Sequence, residues 1–323
     1  MIDFSSSNLK TWSKLGQRGS LFGSAIFKIV ENNANVIILT ADLGYLSGLD
    51  RFVAQYPNRF INTGIAEQNL VGVSAALSME GFIPFATTYA TFITMRSCEQ
   101  IRHFLGYMGC NVKLVGSGAG LIMGFSGNTH YTFEDIAIIR SIPNITIFSP
   151  ADAAETVKIA IASVELVGPV YIRLTGGLSN PMVYNNDYNF EIGKAVVLRD
   201  TGNVTIFATG SMVYYALKAA DLLIEFNIFV RIVNIHTIKP LDYSVIEQSA
   251  LNSQLLVSVE EHSIIGGLGG AISEYLCTLD SHPRLLKLGI ADKYGLAGDY
   301  EYLLRENGLT PDLIAEKIKK TLV

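Results

Sequence analysis

Arg59-Phe60-Ile61-Asn62-Thr63-Gly64-Ile65-Ala66-Glu67-Gln68-Asn69 carries the chain from one periodicity to another. Residues 59–62 read as a short strand, Gly64 marks a turn, and residues 65–80 repeat their apolar positions at helical spacing. The same alternation extends in both directions. Toward the amino terminus, Leu21, Phe22, Ala25, Ile26, Ile29 and Val30 share one helical face ahead of the strand-like run Val36-Ile37-Ile38-Leu39. Toward the carboxyl terminus, strands are expected at 82–87, 112–115, 145–148 and 170–174, with helices at 91–107, 133–141 and 151–167 between them. Short, nearly continuous Val/Ile/Leu runs between helices predict a parallel sheet covered on both faces.

From Gly176 to Asn189 the pattern breaks into Gly-Gly, Ser-Asn-Pro and Tyr-Asn-Asn-Asp, which is turn and linker chemistry. Beyond it, strands at 204–208, 229–235, 255–259 and 285–288 alternate with helices at 212–226, 243–251 and 268–279. Helical segments at 300–307 and 311–322 close the chain. The expected fold class is α/β, with two doubly wound domains, 1–180 and 193–323, joined by a linker at 181–192. Ligands in such sheets sit beyond the carboxyl ends of the strands. Fold alone names no reaction.

Composition narrows the function. The 323 residues suffice for about two domains. Lys plus Arg number 24 against 29 Asp plus Glu, and the basic residues form no run, which argues against a nucleic-acid partner. Mean hydropathy is +0.33, yet no stretch approaches the roughly 18 apolar residues of a membrane span, and residues 1–20 lack an apolar signal core. A cytoplasmic protein without membrane attachment is expected. Cys98, Cys110 and Cys277 are odd in number and lack C-x-x-C spacing, so they read as small buried hydrophobes and not as disulfides or zinc ligands.

Several residues invite chemistry, and each has a plainer reading. Glu67, in a first helical turn, complements the macrodipole. Tyr89 and Phe92, three apart where strand runs into helix, have the spacing of a core pair. Gly116-Ser117-Gly118-Ala119-Gly120 could cradle a phosphate, but no Lys-Ser/Thr follows and half of a dinucleotide fingerprint is missing. His130 lies on a loop, where a lone histidine is commonly a surface residue.

Taken in order, the segments resemble the C-terminal half of transketolase over nearly the whole chain. Gly64-Ile65-Ala66-Glu67-Gln68-Asn69 is similar to the segment that carries the family's cofactor-activating glutamate. Ala41-Asp42-Leu43, Tyr89-Ala90-Thr91-Phe92, Arg140-Ser141-Ile142-Pro143-Asn144 and Ser149-Pro150-Ala151-Asp152 fall in the family's order. So do three second-half segments: Ala208-Thr209-Gly210-Ser211, His236-Thr237-Ile238-Lys239-Pro240-Leu241-Asp242 and the run from Glu260-Glu261-His262 to Gly269. The series ends with Asp292-Lys293-Tyr294-Gly295-Leu296-Ala297-Gly298.

The resemblance implies thiamine diphosphate chemistry. Glu67 would bond N1′ of the cofactor's pyrimidine and favour the tautomer that removes the thiazolium proton, a role calling for a carboxyl of raised pKa in mostly apolar surroundings such as Val71, Val73 and Ala75. Tyr89 and Phe92 would stack on the pyrimidine, with Asp42 a further cofactor contact. Arg18 and His130 match substrate-contacting positions, and His130 would share the catalysis with Glu67. The family's diphosphate site, a Gly-Asp-Gly followed by Asn, does not occur here. The chain therefore resembles the C-terminal subunit of a split transketolase, with diphosphate and Mg2+ ligands expected on a partner N-terminal subunit in an α2β2 heterotetramer.

Departures accompany the matches. Gly118 stands where the family has a substrate-contacting His, and Phe125-Ser126-Gly127 where Glu-Asp-Gly is usual, so that Ser126 replaces a carboxylate. Thr175-Gly176 stands where a phosphate-binding Arg follows Ile-Arg-Leu. The expected activity is two-carbon ketol transfer with a non-standard sugar. Acyl transfer from a 2-oxoacid, as in deoxyxylulose phosphate synthase or 2-oxoacid dehydrogenase beta subunits, stays open, as does a non-catalytic partner subunit.

Overall fold

In the computed structural model, which describes residues 2–322, the β/α alternation builds two sheets. The first half supplies β1 (Val36–Thr40), β2 (Phe60–Asn62), β3 (Ile83–Tyr89), β4 (Lys113–Ser117), β5 (Thr146–Phe148) and β6 (Val170–Arg173). The second supplies β7 (Val196–Arg199), β8 (Val204–Ala208), β9 (Val230–Asn234), β10 (Thr237–Lys239), β11 (Leu255–Ser263) and β12 (Arg284–Ile290). Strand order is β10-β5-β6-β4-β3-β1-β2 in the seven-stranded sheet and β12-β11-β8-β9-β7 in the five-stranded one. Strands β1 to β6 pair in parallel, and β1, β4, β6, β8 and β9 are buried at every residue, as strands covered on both faces must be. The helix Glu67–Met79 buries Glu67, Leu70, Val71, Ser74 and Ala75, one stripe at three-and-four spacing.

The expected α/β class with two sheets is what the chain builds, and each sheet adds one antiparallel strand at an edge. Strand β10 runs antiparallel to β5, with Thr237 opposite Phe148, and β7 runs antiparallel to β9. For β7 chain length is the cause, because a parallel connection within one sheet needs a dozen or more residues. Only residues 200–203 separate β7 from β8, and only 235 and 236 separate β9 from β10. Strand β10 leaves its own half and joins the first sheet. Residues 174–195 hold no helix or strand.

Other differences are local. Helices Ser6–Ser20 and Asp50–Gln55 were outside the expected elements, and the helical stretch expected at 91–107 is broken into π turns at Phe92–Arg96 and Ile101–Tyr107 around a short α segment. Of the three cysteines only Cys110 is buried; Cys98 is half-buried and Cys277 is exposed just past the helix Leu268–Leu276. Among the described residues no helix is long and apolar enough to cross a membrane.

The two halves meet through buried charge. Arg173, 1% exposed, donates through Nε to Asp135 Oδ2 at 2.8 Å and through Nη2 to the Glu261 carbonyl at 2.9 Å. Tyr171 also donates to Asp135 Oδ2, at 2.7 Å. His262 lies alongside, its imidazole held down at about 4 by burial.

Candidate active site

The parallel strands of the first sheet end along one edge, at Thr40, Asn62, Tyr89 and Ser117, and the residues just beyond those ends form the site. Asn62 organises the first turn. Its Oδ1 accepts from the N–H groups of Asp42 and Gly64, each at 3.0 Å, and its Nδ2 donates to Asp42 Oδ1 at 3.2 Å. Gly64 takes φ +73°, a left-handed conformation that swings the chain from β2 into the helix Glu67–Met79. Glu67 becomes the first residue of that helix and is only 5% exposed.

Burial of a carboxylate demands a partner. Arg96 supplies it, with Nη1 donating to Glu67 Oε1 at 2.9 Å. The surroundings of Glu67 are therefore not mostly apolar, a correction: Val71 and Ala75 pack into the core below, and a guanidinium meets the carboxylate itself. The Arg96 guanidinium also lies 3.9 Å from the Phe92 ring centroid, a cation–π contact made within one π turn. Gln68 donates to the Arg96 carbonyl at 3.0 Å and ties that turn to the Glu67 helix.

Tyr89 and Phe92 lie edge to face with centroids 5.8 Å apart, and His130 joins them at 5.3 Å from Phe92 and 6.1 Å from Tyr89. The His130 Nδ1 lies 2.9 Å from the Thr129 hydroxyl. Gly118, at φ +68°, faces the same group, since a Cβ there would meet Met123 and the Tyr89 ring. The other glycines of that run serve close approach and not a phosphate: a Cβ at Gly116 would overlap Tyr171, and one at Gly120 would overlap the Glu261 carboxylate.

Arg18 belongs to the helix Ser6–Ser20. Its helix kinks at Gly16, where φ is +70° and a Cβ would overlap the Gly177 carbonyl. Gln17 is then pinned in the interior, donating to the Pro150 carbonyl and accepting from Gly176 N–H, both at 2.8 Å. Partial burial lowers Arg18 from its ordinary pKa, and the nearby Tyr89 opposes this.

The structure thus brings Glu67, Tyr89, Phe92, Gly118 and His130 together, with Arg18 beside Tyr89. Asp42 bonds to Asn62 at the neighbouring strand end and makes no hydrogen bond to that group. Ser126 is exposed near the tip of the 3-10 turn Gly124–Thr129, next to Phe125, whose ring is 85% exposed. Sequence reasoning missed Arg96 and Gln68. The signal available was Arg96 four residues after Phe92, within reach of one turn.

Comparison with known proteins places the chain in a family. Residues 18–181 match the transketolase pyrimidine-binding domain and residues 193–314 match the transketolase C-terminal domain. The 6-deoxy-6-sulfo-D-fructose transketolase subunit SqwH of Clostridium sp. (strain MSTE9) is 38% identical over 288 residues, covering 88% of each chain. A solved split-gene transketolase, an inactive beta4 tetramer, superposes with a TM-score of 0.83 at 38% identity, covering 94% of this chain and 97% of that one. The 1-deoxy-D-xylulose-5-phosphate synthase of Synechococcus sp. (strain JA-2-3B'a(2-13)) is 36% identical over 302 residues, 93% of this chain but 46% of the synthase.

Proposed function

The chain belongs to the transketolase family, and from that premise we propose that it is the pyrimidine-binding subunit of a two-chain, thiamine diphosphate-dependent enzyme that moves a two-carbon ketol unit between sugars. One observation carries the reading: a buried carboxylate, Glu67, opens a helix at the carboxyl edge of a parallel sheet, beside the rings of Tyr89, Phe92 and His130. These residues fit the pyrimidine end of the cofactor. Among the described residues Glu67 Oε2 accepts no hydrogen bond, since the Arg96 contact uses Oε1. The diphosphate and Mg2+ fall to a second chain, because the Gly-Asp-Gly and Asn that hold them in this family do not occur in the sequence. The names of the relatives, a subunit and a split-gene enzyme, support two kinds of chain, and we propose two of each in the assembly.

When bound, the cofactor supplies a carbon acid that attacks a ketose carbonyl and an electron sink for the two-carbon unit. Glu67 holds a proton at N1′ of the pyrimidine. Tyr89 and Phe92 cover the ring face and exclude water. His130 reaches the substrate's oxygens, with its Nδ1 oriented by Thr129. Asp42 buttresses the turn into Glu67 through Asn62. Arg18, half-buried beside Tyr89, receives an anionic end of the sugar, while Gly118 and Ser126 leave the acceptor side less charged than usual. A non-standard sugar follows from these departures, and the sulfo-sugar named for SqwH is of that kind. Identity to the synthase favours a second reading, a 2-oxoacid donor at the same site.

The test is calorimetry and exchange of the cofactor's C2 proton, with and without a chain carrying the Gly-Asp-Gly motif. The isolated subunit should not bind the cofactor tightly, and the pair should exchange. Glu67→Gln should slow exchange by about 10²–10⁴-fold with assembly intact; unaltered exchange overturns the assignment of Glu67. Ketose donors turned over in preference to pyruvate support ketol transfer, and the reverse supports the second reading.

A further inference from the structure

The loop 118–131 carries Gly118, Ser126 and His130, and it is held from two directions. At one end, Gly118 and His130 lie against Tyr89 and Phe92 of the first domain. Along the rest of its course it meets the second domain. Asn128 Nδ2 donates to the Gly295 carbonyl at 2.8 Å, and Gly298 N–H donates to the Gly124 carbonyl at 3.2 Å. The Tyr131 hydroxyl lies 2.9 Å from the carbonyls of both Gly124 and Leu296, free to donate to either. The Leu121 N–H donates to Glu261 Oε1 at 2.5 Å, and Glu261 Oε2 is fixed in turn by the hydroxyls of Ser211 and Tyr300, both at 2.7 Å.

The glycines of the loop fall where the second domain comes closest. A Cβ at Gly120, φ +75°, would overlap the Glu261 carboxylate, one at Gly124 would overlap the Gly298 carbonyl, and one at Gly127, φ +66°, would touch Ala297. A loop merely resting on its neighbour needs no such spacing. Four hydrogen-bonding positions and three glycines in register describe a moulded fit. The segment 292–298 that stood out in the sequence without a role supplies most of the mould.

We propose that Glu261 and segment 295–300 of the second domain are positioning residues for the substrate, setting the shape of the acceptor side of the site by clamping loop 118–131. This rests on the ketol-transfer reading for its substrate consequence, but the clamp itself does not. Among the described residues no hydrogen bond, ion pair or ring contact joins the second domain to Glu67, Tyr89 or Phe92, so its effect on the reaction passes through the loop. Cofactor activation and acceptor choice are thereby governed from different domains.

Two conservative variants test this, Asn128→Ala and Tyr131→Phe, each removing a tie without touching Glu67 or the aromatic group. In the assembled two-chain enzyme, hydrogen exchange at amides 118–131 should quicken about tenfold or more while the sheets exchange as before. The acceptor KM should rise roughly tenfold, the factor one hydrogen bond is worth. C2-proton exchange should stay unchanged. Unaltered loop exchange in both variants overturns the clamp, and a loosened loop with an unchanged acceptor KM overturns its role in substrate positioning. If C2 exchange slows together with the KM change, the effect is a general loss of structure and the proposal fails. An assembled enzyme that transfers no ketol unit, yet shows the loosened loop, rejects the proposed function and leaves the clamp standing.

Discussion

At the scale of single residues, Arg96 sets the starting condition of the site. Its side chain is 51% exposed and that of Glu67 is 6%, so the pair is half in water and worth about 1 kcal/mol at most. On the proposed function, a cofactor drawn to Glu67 would meet a carboxylate with one oxygen already engaged and a Phe92 ring already covered by the guanidinium. Arg96→Met should therefore tighten cofactor binding to the assembled enzyme about fivefold, read by calorimetry, since nothing has to be displaced. Unchanged affinity means that Arg96 keeps its place when the cofactor arrives. The helix that begins at Glu67 was legible from the turn at Gly64 and the apolar stripe after it, while a role for Glu67 came only from the resemblance of residues 64–69. Arg96 was not legible. The apolar spacing from 91 to 107 reads as ordinary α-helix, and the widened turn that aims residue 96 at Glu67 has no apolar signature.

At the scale of elements, strands buried on both faces announced themselves through unbroken Val/Ile/Leu runs, as in Val36-Ile37-Ile38-Leu39. The strands that escaped notice are β7, half-exposed along most of its length, and β10, three residues long and inside a loop motif. Too few residues repeat in either for a period to emerge. Strand β4 begins with an unexpected residue for a core position, Lys113, which is fully buried without a carboxylate partner. Its Nζ donates to Asn111 Oδ1 at 2.7 Å and to the carbonyls of Leu166 and Gly168 at 2.6 and 2.7 Å, tying the start of β4 to the turn before β6. Burial holds its ammonium down at about 7 against an ordinary 10.5. Between those values the unfolded chain binds the proton more tightly, so this site's contribution to stability rises with pH by up to about 1.4 kcal/mol per pH unit, and is lost as pH falls through 7. Lys113→Met should destabilise by leaving two carbonyls unpaired. The gap between wild type and variant should widen from pH 7 to about pH 9 in urea titrations; a constant gap rules out a depressed lysine.

At the scale of the whole molecule, Arg173 is paired with Asp135 inside the first half and reaches the second through the Glu261 carbonyl, where no water reaches them. Removing one member of a buried pair typically costs about 3–5 kcal/mol because the other is left charged and unpaired. Arg173→Met should lower the denaturation midpoint accordingly, and Arg173→Met with Asp135→Leu should recover much of the loss. If the double variant is no better than the single one, the carbonyl contacts of Arg173 dominate and not its charge. The strand β10 binds the halves in another way, since it closes the rim of a sheet to which it does not belong in sequence. A fragment containing only the first half would present β5 with its peptide groups bare, an open template for any other extended chain. The first half is therefore not a portable module: expressed alone it should aggregate through that rim, and the second half acts as its built-in protection against self-templating.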